Sequence, residues 1–473
     1  IDNLYHYGGS GVGLGDMDGD TLLDIVLCSN QNSCSLYRNE GDLSFKDIGV
    51  EVGFAPKGKW ITGVTLADIN GDGHLDIYIC TGMFDAVENY PNQCFINNGS
   101  GHFTERAGEL GLDYNGQSRQ GYFFDYDLDG DLDMYLVNGP VETNTTNFQV
   151  AKSTFITEKN HNDFDDKLYE NVNGVFIDVT EKMGITDLHG FGLSTIIHDF
   201  NHDNYPDIFV ANDFYASDKL WINKAGESFE DQTSEWFHKQ TLYSMGSELM
   251  DLNQDLTFDI LVADMAPSTM YRMKTRKPYL SWQWNEAFEE IFGVEQVSSN
   301  AAYLAKDDHF YNVADALDLD KTDWTWSVIS GCFSNNLLPE VFFTNGLKRA
   351  LDDLDLVMQL TDPGYDNSPS SHKEVGIHTI PYQGKQDTLL PSRSPSDTAG
   401  TALLPPSTIS NPPVIDDANF AHDQLVGSRL DTTPNLSFKA THGGPFQKIN
   451  LFDSPYVNTQ GAAMGDLDND GDL

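Results

Sequence analysis

The 473-residue sequence predicts an all-β protein built from repeated four-stranded sheets. Three observations carry that prediction. An acidic loop recurs along the chain in one register, each copy runs directly into a short apolar segment, and an aromatic–Asn–Gly turn follows with room for two more strands.

The loop comes first. In GDMDGDTLLDIV, Asp16, Asp18 and Asp20 alternate, Leu22 offers a backbone carbonyl and Asp24 closes the pattern. Carboxylates this close repel one another unless a cation sits among them, and oxygen-only ligands suit a hard ion such as Ca²⁺. One copy would read equally well as a solvated turn. Four more complete copies keep the register: Asp68, Asn70, Asp72, His74 and Asp76; Asp125, Asp127, Asp129, Asp131 and Asp133; Asp199, Asn201, Asp203, Tyr205 and Asp207; Asp251, Asn253, Asp255, Thr257 and Asp259. A sixth, with Cys332, Ser334, Asn336, Leu338 and Glu340, keeps the turn but little of the charge and is expected to hold no metal. A seventh shows Asp466, Asp468, Asp470 and Asp472 and stops before a closing carboxylate, so the last repeat is expected to be incomplete. Five Ca²⁺ sites are expected, and a sixth at that loop if the chain continues.

An EF-hand is excluded. That loop needs a bidentate Glu at position twelve, where this chain has apolar residues such as Leu27, Ile79 and Leu136. After each closing aspartate come DIVL, DIYI, DMYL, DIFV and DILV, runs too short for helices and suited to strands buried on both faces. The Gly-led segment before each loop makes the other arm of a hairpin. Gly73, Gly130 and Asn204 fall where the loop calls for a left-handed backbone.

The second turn follows in SLYRNEGDLSF, QCFINNGSGHF, KLYENVNGVF and KLWINKAGESF, which adds two strands around an Asn/Gly bend. Asp16 to Asp68 is 52 residues and Asp199 to Asp251 is again 52. Four strands at such a spacing are the sequence form of a propeller blade. Residues 1–473 therefore read as a single seven-bladed β-propeller, truncated at its C-terminus, with insertions at 139–166, 266–308 and 353–432. The second insertion carries a basic patch, Arg272, Lys274, Arg276 and Lys277, and an amphipathic helix candidate. That patch either packs back on its own acidic blades or contacts an acidic glycan or neighbouring subunit. The third insertion is rich in Pro, Ser and Thr and reads as an extended, irregular excursion.

These motifs carry a resemblance. The repeated GVxLxDxNGDGxxDIY followed by LYxNxGxxF resembles the FG-GAP/VCBS repeats of integrin α-subunit propellers. FFDYDLDGDLDMYLVN, PDIFVANDF, TDWTWS and FFTNGLKR are similar to stretches of the cartilage acidic protein and ASPIC/UnbV family. The resemblance implies seven blades of the integrin α type, Ca²⁺ in the blade loops, an extracellular setting and binding rather than catalysis.

Composition agrees. With 27 basic and 73 acidic side chains the net charge is −46, which excludes nucleic-acid and anionic-membrane partners. No apolar run reaches membrane length, and no leader is visible at Ile1. Cys28 with Cys34 and Cys80 with Cys94 flank equivalent hairpin bends, so two local disulfides are expected, in keeping with secretion, and Cys332 is left as a buried thiol. Asn98, Asn144 and Asn435 open glycosylation sequons.

Catalytic patterns are missing: no HExxH, GxSxG or P-loop occurs, and GSGVGLG leads into a metal loop rather than a helix. His198 and His202 sit around a strand and turn, where a spacing of four does not align them. Trp324 and Trp326 read as blade packing. No catalytic residue is assigned, and the chain is not expected to be an enzyme. The function expected is a secreted calcium-binding scaffold or adhesion module for extracellular protein or glycan partners. The alternatives are a polysaccharide-processing lyase or hydrolase and a self-assembling filament subunit.

Overall fold

The computed structural model describes residues 10–29, 33–58, 60–82, 90–139, 165–186, 190–213, 216–269, 272, 289–290, 292–331, 339–345, 436–441 and 444–449. The chain divides into two units, residues 1–350 with 430–473 and residues 351–429, and everything described lies in the first. All of the degenerate sixth loop's named positions but Glu340, the seventh loop, Lys274, Arg276, Lys277, Asn144 and Asn435 lie outside the described residues, as does most of the helix candidate.

The described residues form an all-β fold of repeated four-stranded antiparallel sheets, each with its strands side by side in chain order. Sheet one holds Val12–Gly15, Asp24–Leu27, Ser35–Asn39 and Phe45–Asp47; sheet two holds Ile61–Ala67, Asp76–Thr81, Gln93–Asn97 and Phe103–Glu105. Sheet three runs from Ser118–Phe124 to Phe176–Asp178, and sheet four from Gly192–His198 to Phe229–Asp231. Sheet five joins Ser247–Met250, Asp259–Val262, Ala301–Lys306 and His309–Asn312; sheet six joins Thr325–Gly331, Glu340–Asn345, Leu436–Thr441 and Gly444–Ile449. Among the described residues no helix is long and apolar enough to cross a membrane.

One register repeats. The closing acid of each loop lies opposite the residue just before the loop: Gly15 with Asp24, Ala67 with Asp76, Phe124 with Asp133, His198 with Asp207, Met250 with Asp259. Gly331 with Glu340 continues the series in sheet six. A shared register puts the same residues of every second strand between sheets, so Asp76–Thr81, Asp133–Asn138, Asp207–Asn212 and Glu340–Asn345 are buried throughout. The first sheet departs from the expected two-faced burial. Leu27 is 44% exposed because, among the described residues, only sheet two covers sheet one.

Consecutive sheets stack through apolar layers. Val26 and Leu36 of sheet one pack with Ile77, Ile79 and Phe95 of sheet two, and Ile196 and Phe209 of sheet four pack with Ile260 and Tyr303 of sheet five. The first strands meet edge to edge, each against the first strand of the next sheet. Glycine permits that approach. A Cβ on Gly63 would stand 2.2 Å from the Arg119 carbonyl oxygen, and one on Gly246 would stand 2.8 Å from the Ser327 Cα. Polar side chains then stitch the first strands together. The Thr65 hydroxyl donates to the Gly121 carbonyl at 2.6 Å, the Thr195 amide to the Tyr122 hydroxyl at 3.0 Å, and the Ser330 hydroxyl to Glu248 at 2.8 Å.

The long connections share an end. Residues 139–166, the stretch after Val262 and the stretch after Asn345 all join a second strand to a third, at the end away from the acidic loops. The expected insertion 266–308 contains more structure than its name implies. Glu295–Val297 pairs in parallel with Lys239–Thr241, and Ala301–Lys306 is the third strand of sheet five. Arg272 forms an ion pair with Asp323 at 2.7 Å, so this residue of the basic patch packs back on the sheets.

The expected disulfides are not formed: Cys28, Cys34, Cys80 and Cys94 are all free thiols. Register explains the second pair. Cys94 lies opposite Tyr78, which makes Cys80 its diagonal neighbour at about 7 Å, well beyond the Cβ separation a disulfide needs. Cys28 and Cys34 end the facing arms of a hairpin whose Leu27 and Ser35 are partners, and both are free. The support that disulfides would have lent to secretion is removed.

Substituting Gly63→Ala forces a methyl group into the neighbouring backbone and should destabilise the fold by about 1–3 kcal/mol, the usual cost of overpacking. A urea midpoint unchanged from wild type would contradict the close approach of the first strands.

Candidate functional site

Each acidic loop winds around its first aspartate. Asp16 accepts the amides of Gly19, Asp20 and Thr21 at 2.7, 3.1 and 2.8 Å. Asp68 accepts from Asp72 and Gly73 at 2.9 and 2.8 Å, and Asp125 from Asp129 and Gly130 at 3.1 and 3.0 Å. Asp199 holds Asp203 and Asn204 in the same way, and Asp251 holds Asp255 and Leu256. The third ligand position, Asp20, Asp72, Asp129, Asp203 or Asp255, accepts the amide two residues on, from Leu22, His74, Asp131, Tyr205 or Thr257.

Such tight winding requires two left-handed residues per loop. Gly73, Gly130 and Asn204 have φ of 89°, 99° and 76°, as the sequence predicts, while Thr21 and Leu256 take the same position at 77° and 70°. The other left-handed residue, two positions earlier, escapes sequence reasoning because Leu128, His202 and Gln254 occupy it in three copies.

The closing aspartate is the buried member. Asp24 accepts the Met17 amide of its own loop at 3.0 Å and the Asn39 amide of the third strand at 2.8 Å. Asp76 does the same with Ile69 and Asn97, Asp133 with Tyr126 and Asn171, Asp207 with Phe200 and Asn223, and Asp259 with Leu252 and Ala305. Two of the third-strand asparagines reach further. The Asn97 carboxamide donates to the Met17 carbonyl of sheet one at 2.8 Å, and that of Asn223 to the Tyr126 carbonyl of sheet three at 2.8 Å.

Burial is the main force on these acids. It lifts Asp24, Asp76 and Asp259 to about 6 and Asp133 and Asp207 to about 7, against the backbone amides that lower them. Folding thus favours their protonated form, and the stability this lends is lost as pH rises through 6 to 7. At neutral pH the charge is a cost that a bound cation would offset.

The loops then divide by their second position. In two copies the structure gathers three carboxylates whose oxygens lie within 4.8 Å of one another: Asp16, Asp18 and Asp24, and Asp125, Asp127 and Asp133. Burial, then repulsion from Asp20 and Asp16, raises Asp18, and burial likewise raises Asp127. Asp18 Oδ1 and Asp131 Oδ1 are buried without a hydrogen-bond partner. In the other three copies the second position is an uncharged amide that hydrogen-bonds its neighbour and stabilises the carboxylate form: Asn70 donates to Asp72 at 3.1 Å, Asn201 to Asp203 at 3.0 Å, Asn253 to Asp255 at 2.9 Å. Asp255 is accordingly lowered, by the Thr257 amide first and Asn253 second. Asp16, Asp18, Asp24, Asp125, Asp127, Asp131 and Asp133 have the donor chemistry of a hard divalent site. His198 is instead packed against Phe200 and Phe258, with ring centroids 5.2 and 5.1 Å away.

A second recurring set sits at the opposite ends of the sheets. Asn92, Asp166, Asp218 and Asn300 each precede a third strand and accept the amide of Thr81, Asn138, Asn212 or Asp264 at 2.7 to 2.9 Å. The recurring Asp in DKLYEN and DKLWIN is the sequence signal that marks them.

The family description for FG-GAP-like repeats matches residues 16–79 and 199–262. The matched spans begin at Asp16 and Asp199 and take in the first, second, fourth and fifth acidic loops together with the strands between the loops of each pair. No curated protein matches the chain. Among solved structures, the chain is similar to an Agrocybe aegerita lectin that recognises non-reducing terminal N-acetylglucosamine (15% identity, 63% of this chain, 64% of that one, TM-score 0.33). It is also similar to the V. cholerae biofilm matrix protein Bap1 (12%, 70% and 43%, TM-score 0.34) and to the exotype rhamnogalacturonan lyase YesX (12%, 76% and 54%, TM-score 0.37). The chain thus spans less than two thirds of the length of each of these proteins.

Leu256 is 93% exposed at φ 70°, so no packing offsets its left-handed backbone. Replacing it with glycine should raise stability by up to about 1 kcal/mol. A fall in the denaturation midpoint of Leu256→Gly would count against the loop geometry described.

Proposed function

We propose that this chain is a seven-bladed, calcium-stabilised β-propeller that acts outside the cell as a binding scaffold for protein or glycan partners. The observation that carries the reading is the pair of half-buried carboxylate clusters at Asp16, Asp18 and Asp24 and at Asp125, Asp127 and Asp133, on a backbone plan that three further loops repeat. Calcium fits an oxygen-only set on a flexible turn better than magnesium, which demands strict octahedral geometry. Ligand charge would rank the sites. The first and third loops bind most tightly, and the Asn-containing second, fourth and fifth loops more weakly.

A scaffold role has its own support. The polar side chains of the first strands are spent on hydrogen bonds between sheets: Thr65 and Gln120, Tyr122 with Thr195, Ser194 with Ser247, Glu248 with Ser330. The long connections leave from one end, away from the loops, and loops on a rigid frame are where partners usually dock. At a net charge of −46, protein or glycan partners bearing cationic groups fit that surface best.

Calcium at ten times its dissociation constant would stabilise the fold by about 1.4 kcal/mol per site. A thermal melt of wild type should therefore fall on chelation, and most of that fall should disappear in the Asp18→Asn, Asp127→Asn double variant. Identical melting temperatures with and without chelator would overturn the proposal.

A further inference from the structure

Away from the acidic loops, the most deeply buried charge lies where sheets four and five meet at their opposite ends. Asp218 and Asp264 are both 0% exposed. Among the described residues no ion pair reaches either. Asp264 is well hydrogen-bonded, accepting the amides of Leu242 and Tyr243 at 3.1 and 2.9 Å and the Ser298 hydroxyl at 3.0 Å. Asp218 accepts the Asn212 amide on Oδ1 at 2.9 Å, and its Oδ2 has no partner of ordinary hydrogen-bond geometry. Burial, and to a smaller degree the charge of Asp264, raises Asp218 to about 7, while the Asn212 amide and the nearby Ser244 hydroxyl pull it down.

Around Asp218 stand four more side-chain oxygens with no hydrogen-bond partner: Asn212 Oδ1, Ser217 Oγ, Gln240 Oε1 and Gln296 Oε1. Their residues are 0%, 1%, 0% and 5% exposed, so bulk water does not reach them. The other end of each amide is fastened to one short piece of backbone. Asn212 Nδ2 donates to the Ser217 carbonyl at 2.9 Å, Gln240 Nε2 to that of Asp218 at 3.2 Å, and Gln296 Nε2 to that of Ala216 at 3.1 Å. Gln240 and Gln296 are also partners in the parallel pair of Lys239–Thr241 with Glu295–Val297, which puts their side chains on one face. Orientation is thereby fixed, with nitrogens on the carbonyls and oxygens left over.

Four carbonyl or carboxylate oxygens and the Ser217 hydroxyl, shut off from bulk water, are costly to leave bare. A single water brings two protons and could serve two of them. One cation serves all five, and the formal charge of Asp218 with Asp264 matches a divalent one. We propose that Asn212, Ser217, Asp218, Gln240 and Gln296 form a separate Ca²⁺ site that clamps the Lys239–Thr241 and Glu295–Val297 pair onto the start of the third strand of sheet four. The donor set is oxygen-only and mostly uncharged, as a hard, largely dehydrated ion requires. The clamp lies beside the chain leading out of sheet five, so the ion would fasten the return end of that long connection. It does not depend on the acidic loops being occupied.

Two measurements decide the matter. Calcium bound per chain, counted by mass spectrometry after equilibrium dialysis, should fall by one in Asp218→Asn. The same loss of one should appear when Asp218→Asn is added to the Asp18→Asn, Asp127→Asn background. Anomalous scattering from wild-type crystals grown in millimolar calcium should show a peak among Asn212, Asp218 and Gln240 whether or not that variant folds. An unchanged ion count in a folded Asp218→Asn protein, or ordered water alone at the position in wild type, would sink the site while leaving the loop reading intact.

Discussion

The structure depends on a buried carboxylate that ties three pieces of chain together. In each described sheet from one to five, the closing aspartate sits at the foot of the second strand. One oxygen holds the loop and the other holds the third strand. Backbone amides satisfy the carboxylate's hydrogen bonding but not its charge, which burial keeps costly. The fold accepts that cost because the same side chain opens the second strand and fixes both the loop and the third strand against it.

From that tie the stacking of sheets follows. A common register buries the second strands of sheets two to six in the same way, and the apolar layers between sheets then draw on equivalent residues. Where the repeat is closest, the turn after the third strand leans on the loop of the preceding sheet. Gly101 sits against Asp18, and Gly226 sits against Asp127. Those are the loops with the half-buried carboxylate clusters, so local charge and contact between sheets are coupled at the same positions.

The two ends of the sheets solve opposite problems. At the loop end, aspartates outnumber donors and some remain open to solvent, which suits exchangeable ions. At the other end, Asn92, Asp166, Asp218 and Asn300 are buried and bind backbone amides. Polar atoms there have little access to water, so each unpartnered oxygen carries more weight than a similar atom in a loop.

By itself the sequence determined the repeat, the strands, the hairpin turns and the loop aspartates, because period-two burial, tight turns and clustered carboxylates are local constraints that a few adjacent residues must meet. Gly73, Gly130 and Asn204 were legible for the same reason, whereas Leu128, His202 and Gln254 were not, since their backbone is imposed by hydrogen bonds to Asp125, Asp199 and Asp251 rather than by their own preference. The two loops that gather three acids are those with Asp18 and Asp127 at the second position, where the others have asparagine; only the tertiary structure showed that a glycine turn of the next sheet packs against each. It also decided that Cys80 and Cys94 are diagonal neighbours and that Asn212, Asp218, Gln240 and Gln296 converge. Register and contact between distant segments set those outcomes, and no short stretch of chain contains them.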